Sequence, residues 1–406
     1  MRRYAFAGAS GRALSMYARP LRERFGAVSD LVGVFDVNRT RAQLVAEAAG
    51  GAPAFDDFDR MLAETRPDAV IVTTIDRHHH EFIIRSLQAG CDAITEKPMT
   101  IDAPRCRQIL AAERKTGRHV TVTFNYRFAP YATRIRQLIN DGEIGRPLSV
   151  DFEWFLDTRH GADYFRRWHR QKANSGGLLV HKATHHFDIL NWWLDDEPRD
   201  VFAFGDRHVY GSAGPRRGRR CSECAHGADC SFFVDLRADP RMAQLYFKAE
   251  HEDGYVRDGC VFAEDVDIED TMSATIRYRS GSLVSYSLIA HAPYEGWRAS
   301  INGERGRIEA EEFHSGPFAD PEVQRIRLVN AGPIVREIDV PRASGGHGGG
   351  DERLRQAIFA IPPPPDPLGH TAGSRAGAMS LLVGAAANLS IARGGPIAIA
   401  DLLRDD

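Results

Sequence analysis

The run Ser175–Trp193, SGGLLVHKATHHFDILNWW, carries the densest chemistry in the chain. Read as a helix, it puts His181, His185 and Asp188 at i, i+4 and i+7, on one face. A histidine titrates near neutrality and can take or return a proton, and Lys182 beside His181 is a further candidate base. Two other readings stay open. The histidines could satisfy one another in a buried helix, or His181 and His185, at a spacing that suits zinc, could hold a metal whose third ligand the sequence does not identify.

Just upstream, YFRRWHRQK over 164–172 mixes aromatic and basic side chains. Aromatic faces stack on the C–H faces of a sugar or polyol, fixed donors reach its hydroxyls, and several cations suit a carboxylate. Trp168, His169 and Arg170 are the candidate substrate contacts, against the alternative of a solvated helical turn. Near the N-terminus, RYAFAG ends in the turn Gly8-Ala9-Ser10-Gly11-Arg12-Ala13, and LVGVF delivers Asp36. Small residues let a backbone approach a pyrophosphate, and a carboxylate ending the second strand can accept hydrogen bonds from the adenosine ribose. Ser10 and Ala13 replace two glycines of the G-x-G-x-x-G pattern, so by itself the turn could be an ordinary strand-to-helix connection. Asp36 favours NAD, and the nearby Arg39 and Arg41 leave NADP as the lesser alternative. Cys221, Cys224 and Cys230, with Cys260 further on, could hold a structural zinc clamping a long loop near the substrate mouth. Iron–sulfur ligation, a disulfide and incidental thiols are the other readings.

The elements that must position these residues are legible in the periodicity. Strands at 3–8, LVGVF, DAVIVTT and CDAIT alternate with helices near 14–24, 40–49 and 81–89, as a doubly wound parallel sheet requires. After Pro130 a helix leads into LSVDFEWF, and TMSATIRYRS, GSLVSYSLIA and RIRLVN alternate like antiparallel strands. A long small-residue helix is expected over 371–391, packing back near the first domain. With 406 residues, 43% apolar, the chain can fill two cores. A net charge of −3 makes no case for nucleic acid or an anionic membrane, and no signal-peptide core is read at the start. A small-molecule partner and a cytoplasmic location follow as expectations.

At Glu96-Lys97-Pro98 the pattern resembles the glucose-fructose oxidoreductase, inositol dehydrogenase and rhizopine-catabolism family (Gfo/Idh/MocA). The likeness also rests on the glycine turn, Asp36, the segment 73–81, Asn125-Tyr126-Arg127, Ser175-Gly176-Gly177 and the C-terminal NLSIARGGPIAIADLL, and so spans nearly the whole chain. The resemblance implies an NAD-binding Rossmann domain over 1–127. It also implies a substrate-binding and oligomerisation α+β domain with an open, mostly antiparallel sheet over 128–406, which carries a cysteine-containing insertion near 205–262. In that family Glu96 and Lys97 would sit beside the nicotinamide ribose, Lys97 would reach the reacting hydroxyl, and Pro98 would fix the turn, often through a cis peptide. Gly8, Ser10, Gly11, Arg12, Asp36, Arg39, Thr73, Thr74, His79 and Asn125 would line the cofactor. Ile75 stands where most members have a proline. Tyr126, Arg127 and Asp188 would face the substrate, and His185 would exchange the hydroxyl proton. His181 replaces the family's aspartate, which with Lys182 opens a different proton route.

The implied activity is NAD-dependent hydride transfer at a hydroxyl-bearing carbon of a sugar, sugar acid, glycoside or cyclitol, in a homodimer or homotetramer. A redox-neutral glycoside hydrolase or lyase that oxidises, eliminates and re-reduces is the alternative, and a non-catalytic dinucleotide sensor is the third reading.

Overall fold

The computed structural model describes residues 1–404 apart from 216–217, 321, 331, 333 and 334. It resolves into two compact units, Met1–Phe124 with Gly218–Cys260 and Asp351–Ala378, and Asn125–Arg217 with Val261–Gly350 and Met379–Asp406.

In the first unit, β1 (Arg2–Ala7), β2 (Ser29–Phe35), β3 (Ala54–Phe55), β4 (Ala69–Val72), β5 (Asp92–Thr95) and β6 (Val120–Val122) form a parallel sheet of order β6-β5-β4-β1-β2-β3. A short antiparallel strand, Ala372–Gly373, closes its β6 edge. β4, and β1 from Tyr4 onward, are apolar and buried, as strands covered on both faces must be. The helices Arg39–Ala48, Phe58–Thr65 and Ala103–Thr116 begin at Asn38, Asp57 and Asp102, whose side chains accept the hydrogen bonds of otherwise orphaned amides.

The second unit is built on a nine-stranded sheet. Its strands are β7 (Pro147–Asp157), β8 (Pro198–Asp206), β9 (Thr271–Tyr278), β10 (Leu283–Ala292), β11 (Gly296–Gly303), β12 (Gly306–Phe313), β13 (Val323–Asn330), β14 (Val335–Pro341) and the two-residue Ile397–Ala398. The order is β14-β13-β12-β11-β7-β10-β9-β8 with Ile397–Ala398 at the far edge, and the pairing is antiparallel except between β7 and β10. Along β7 the side chains of Val150, Phe152, Trp154 and Leu156 turn inward and those of Asp151 and Glu153 outward, the period-two pattern read from the sequence. The helix Thr184–Leu194 lies on that inner face, where His186 stacks 4.1 Å from the Trp154 ring and Phe187 meets Tyr286 at 4.8 Å. Each large side chain so covered contributes about 2–3 kcal/mol of apolar burial.

Helix Ser374–Arg393 is, among the described residues, the one long and apolar enough to cross a membrane, but 61% of its most apolar window is buried inside the protein. Its small residues permit close packing: a Cβ on Gly384 would lie 2.3 Å from the Leu179 carbonyl oxygen.

Candidate functional site

In the first unit the glycine turn follows β1 directly. Gly8 has φ +102°, and a Cβ there would stand 2.7 Å from the Thr74 backbone nitrogen, so this position requires glycine. Its amide donates to the Phe35 carbonyl at 2.8 Å, and the Thr73 hydroxyl donates to its carbonyl at 2.7 Å. Ser10, where the usual pattern has glycine, accepts from the Ala13 amide at 3.1 Å and so caps the helical segment. Asp36 lies one residue beyond β2. One of its oxygens accepts from the Ala9 amide at 2.6 Å and the other from Asn38 at 2.7 Å. Burial pushes the Asp36 carboxyl above its ordinary value, while Arg41 and those two amides pull it back. Arg39 is exposed and turns toward Asp56 at 3.8 Å.

Around Glu96 the groups are tied to one another. Arg12 donates to Glu96 at 2.8 Å and to Asp351 at 3.2 Å, and the Tyr17 hydroxyl donates to Glu96 at 2.6 Å. Burial would raise the Glu96 carboxyl, but Arg12 and Tyr17 outweigh it and hold the group below the usual range. His79, expected along the cofactor, is buried with its two ring nitrogens 2.8 Å from the Pro98 carbonyl and 3.1 Å from that of Thr74. Burial lowers its pKa, and the neutral ring, with one N–H, donates to one of these carbonyls and packs against the other, tying the two loops together. Lys97 follows Glu96 on a cis Lys97–Pro98 peptide, half-buried. The close backbone approach at Gly8, which any side chain would block, and the Asp36 carboxylate at the end of β2 are the cradle and the acceptor a dinucleotide needs, and these residues fit one.

In the second unit the row of His181, His185 and Asp188 is broken. One helical turn spans Leu178–His181, the Ala183 amide bonds back to Leu178 at 2.8 Å, and a new helix starts at Thr184. His181 joins an aromatic cluster with Tyr164 at 5.5 Å, Trp168 at 5.7 Å and His169 at 4.2 Å. His185 instead faces Tyr126 at 4.9 Å and His347 at 5.8 Å. Asp188 receives two hydrogen bonds from Arg127, at 2.6 and 2.7 Å, deep in the unit. Burial of both groups makes this pairing necessary, since each neutralises the other. Burial raises the Asp188 carboxyl and Arg127 opposes the shift. Arg170 donates to Asp265 at 2.6 Å near the surface.

Lys182 is buried with its ammonium 4.5 Å from the Trp154 ring and 5.9 Å from that of Tyr126. Its charge also acts on Glu295 and His314. Burial would raise Glu295, but His160, 2.8 Å away, keeps it below its ordinary value. Asn125 opens this unit in a short buried turn, Asn125–Phe128. Trp154, Glu295, His160 and His347 were not anticipated from the sequence. The glycine run Gly345–Gly350 around His347, whose φ is +54°, was the one local signal for any of them.

The metal expectations are corrected. Among the described residues no group of three or more His, Cys, Asp or Glu side chains is placed to hold an ion, either at His181 and His185 or at Cys221, Cys224, Cys230 and Cys260. The cysteine segment is cross-linked by Arg220 instead, which donates to Asp258 at 3.0 Å and to both oxygens of Glu250 at 2.9 Å. Arginine's planar fork does here what a metal was expected to do.

Residues 2–124 match the model of an oxidoreductase family with an NAD-binding Rossmann fold, and residues 136–399 match the C-terminal alpha/beta domain of that family. Among curated proteins, "Putative oxidoreductase YteT" of Bacillus subtilis (strain 168) is 40% identical over 427 aligned residues, covering 100% of this chain and 99% of that protein. D-glucoside 3-dehydrogenase of Escherichia coli (strain K12) is 34% identical over 170 residues, 41% of this chain and 46% of the enzyme. An inositol 2-dehydrogenase/D-chiro-inositol 3-dehydrogenase of Lactiplantibacillus plantarum is 28% identical over 44% of this chain and 50% of that protein. With these two dehydrogenases the alignment thus spans half of their length or less. The crystal structure of the WlbA dehydrogenase from Bordetella pertussis, in complex with NADH and UDP-GlcNAcA, shares the fold at a TM-score of 0.66 and 18% identity, with 98% of each chain covered.

Proposed function

The chain belongs to the Gfo/Idh/MocA oxidoreductase family, and from that premise we propose that it is an NAD-dependent dehydrogenase of a sugar, sugar acid, glycoside or cyclitol. The observation that carries the reading is the framing of Lys97. Glu96 before it and Pro98 after it are each fixed by close partners, the half-buried Arg12 and the buried Tyr17 on one side and the buried His79 on the other. That rigid setting suits a lysine that must be presented to a reacting hydroxyl.

A bound nicotinamide supplies the two-electron acceptor for the hydride leaving the carbon. An alcohol loses hydride readily only if its proton leaves as well. We assign that proton to His185, with Lys97 stabilising the developing oxyanion. His181 and Lys182 sit in different surroundings, one among aromatic rings and the other over Trp154, and we assign them to substrate recognition. Trp168, stacked on His169 at 3.6 Å and only partly buried, is assigned to stacking on the sugar, and His169 and Tyr126 to the substrate side of the unit. Gly8, Ser10, Gly11, Thr73 and Thr74 are assigned to the cofactor, with Asp36 on the adenosine ribose favouring NAD over NADP.

The relatives named above that carry a specific activity are dehydrogenases, so the redox-neutral hydrolase or lyase reading gains no support. The test is a screen of sugars, glycosides and cyclitols with NAD, following reduced nicotinamide and product together. One NADH per substrate is expected, and cleaved product without net NADH would overturn the dehydrogenase reading.

A further inference from the structure

The segment Gly218–Cys260 is part of the first unit. Its final stretch lies against both landmarks of the dinucleotide fold. Near the glycine turn, the Tyr246 hydroxyl accepts from the Gly11 amide at 2.9 Å. Beyond β2, the Asn38 amide side chain donates to the Ala249 carbonyl at 2.7 Å, and Glu252 accepts from the Thr40 amide at 3.2 Å. The decisive contact is Arg41, whose guanidinium donates to Asp253 and stands 3.5 Å from Asp36. Arg41 is only 7% exposed, and both contacts fall on its Nη2, which sets the direction of the guanidinium, while its buried Nη1 has no hydrogen-bond partner among the described residues.

A 2'-phosphate adds nearly two negative charges at the adenosine ribose and is tolerated beside a carboxylate only where a cation is free to meet it. Arg41 is the cation nearest Asp36, whereas Arg39 is exposed and turned to Asp56. Resting on the dinucleotide reading above, we propose that Asp253 is a specificity-determining residue. By engaging Arg41 through Nη2, it holds the buried guanidinium beside Asp36 away from a 2'-phosphate and so selects NAD over NADP.

The test titrates NADH and NADPH, without substrate, into the full-length protein and follows the change in tryptophan fluorescence. Asp253→Asn keeps the shape and removes the charge. It is expected to tighten NADPH binding about tenfold, the equivalent of one charge-assisted hydrogen bond, while NADH shifts by less than about threefold. Adding Arg41→Ala to that variant should cancel the gain. A folded Asp253→Asn protein with unaltered NADPH affinity overturns the inference. If that variant does not fold, Arg41→Ala alone decides: an unchanged preference supports an arginine already withheld, and a collapse of NADPH affinity refutes it. Failure of the wild-type protein to bind either nucleotide would instead sink the dinucleotide reading.

Discussion

In the first unit several polar side chains at the strand ends are held by hydrogen bonds to backbone, whereas in the second the basic side chains of the Ser175–Trp193 run lie against aromatic rings. Asp36 is anchored by Ala9 and Asn38, Thr73 by Gly8, and His79 by Thr74 and Pro98. Lys182 rests over Trp154, while His185 faces Tyr126 and His347. The contrast follows from topology. A parallel sheet delivers the carboxyl ends of all its strands to one edge, so residues just after β1, β2, β4 and β5 converge whatever their separation in sequence. A mostly antiparallel sheet has no such edge, and its polar residues meet only where a helix happens to cover them.

The comparison can be broken most sharply at Lys97. Lys97→Ala should cut turnover by about 10³-fold while NADH binding stays within a few-fold, measured by steady-state kinetics beside a binding titration. Retained turnover would reduce the first unit to a binding module. Arg127→Ala should destabilise the protein by about 3 kcal/mol or more in urea unfolding, because it strands the buried Asp188 carboxylate. A loss below about 1 kcal/mol would mean that the pair behaves as a solvated surface ion pair. His185→Asn is expected to lower kcat about 10²-fold and His181→Asn less than tenfold, with the latter felt mainly in KM. The reverse ranking would move the proton route to the aromatic cluster.

Smaller effects sharpen the picture. Because Glu96 is held below its ordinary value of 4.5, its contribution to stability is fully present above that pH and is lost as the pH falls through the depressed folded value. The stability gap between wild type and Glu96→Gln should therefore be widest near neutrality and shrink on acidification, as pH-dependent unfolding curves will show. Replacing Cys224 and Cys230 by serine should cost less than about 1 kcal/mol, and a chelator should leave the melting temperature unmoved, since Arg220 bridges the segment. A large drop in either experiment would restore the metal.

Much of the fold could be read from local pattern. Strand and helix positions along the first unit, the turn at Gly8, Asp36 and the Glu96-Lys97-Pro98 triplet all lie within short segments whose periodicity and turn chemistry are local properties. Helical spacing misled at His181, His185 and Asp188, because a single backward bond from Ala183 to Leu178 shifts the phase of the helix, and no residue type announces it. Cysteine spacing misled in the same way, since thiols close in sequence do not converge when an arginine already ties the segment.

Sequence by itself determined the dinucleotide-type unit and the lysine at its strand end, because β1 to β5 place their loops by a rule of connection. Only the tertiary structure decided that Asp188 belongs to Arg127, that Lys182 lies over Trp154, and that the segment Gly218–Cys260 reaches back to Gly11 and Arg41. Those contacts join residues far apart in the chain, and their identity depends on which buried charge finds which partner, a competition that no local spacing records.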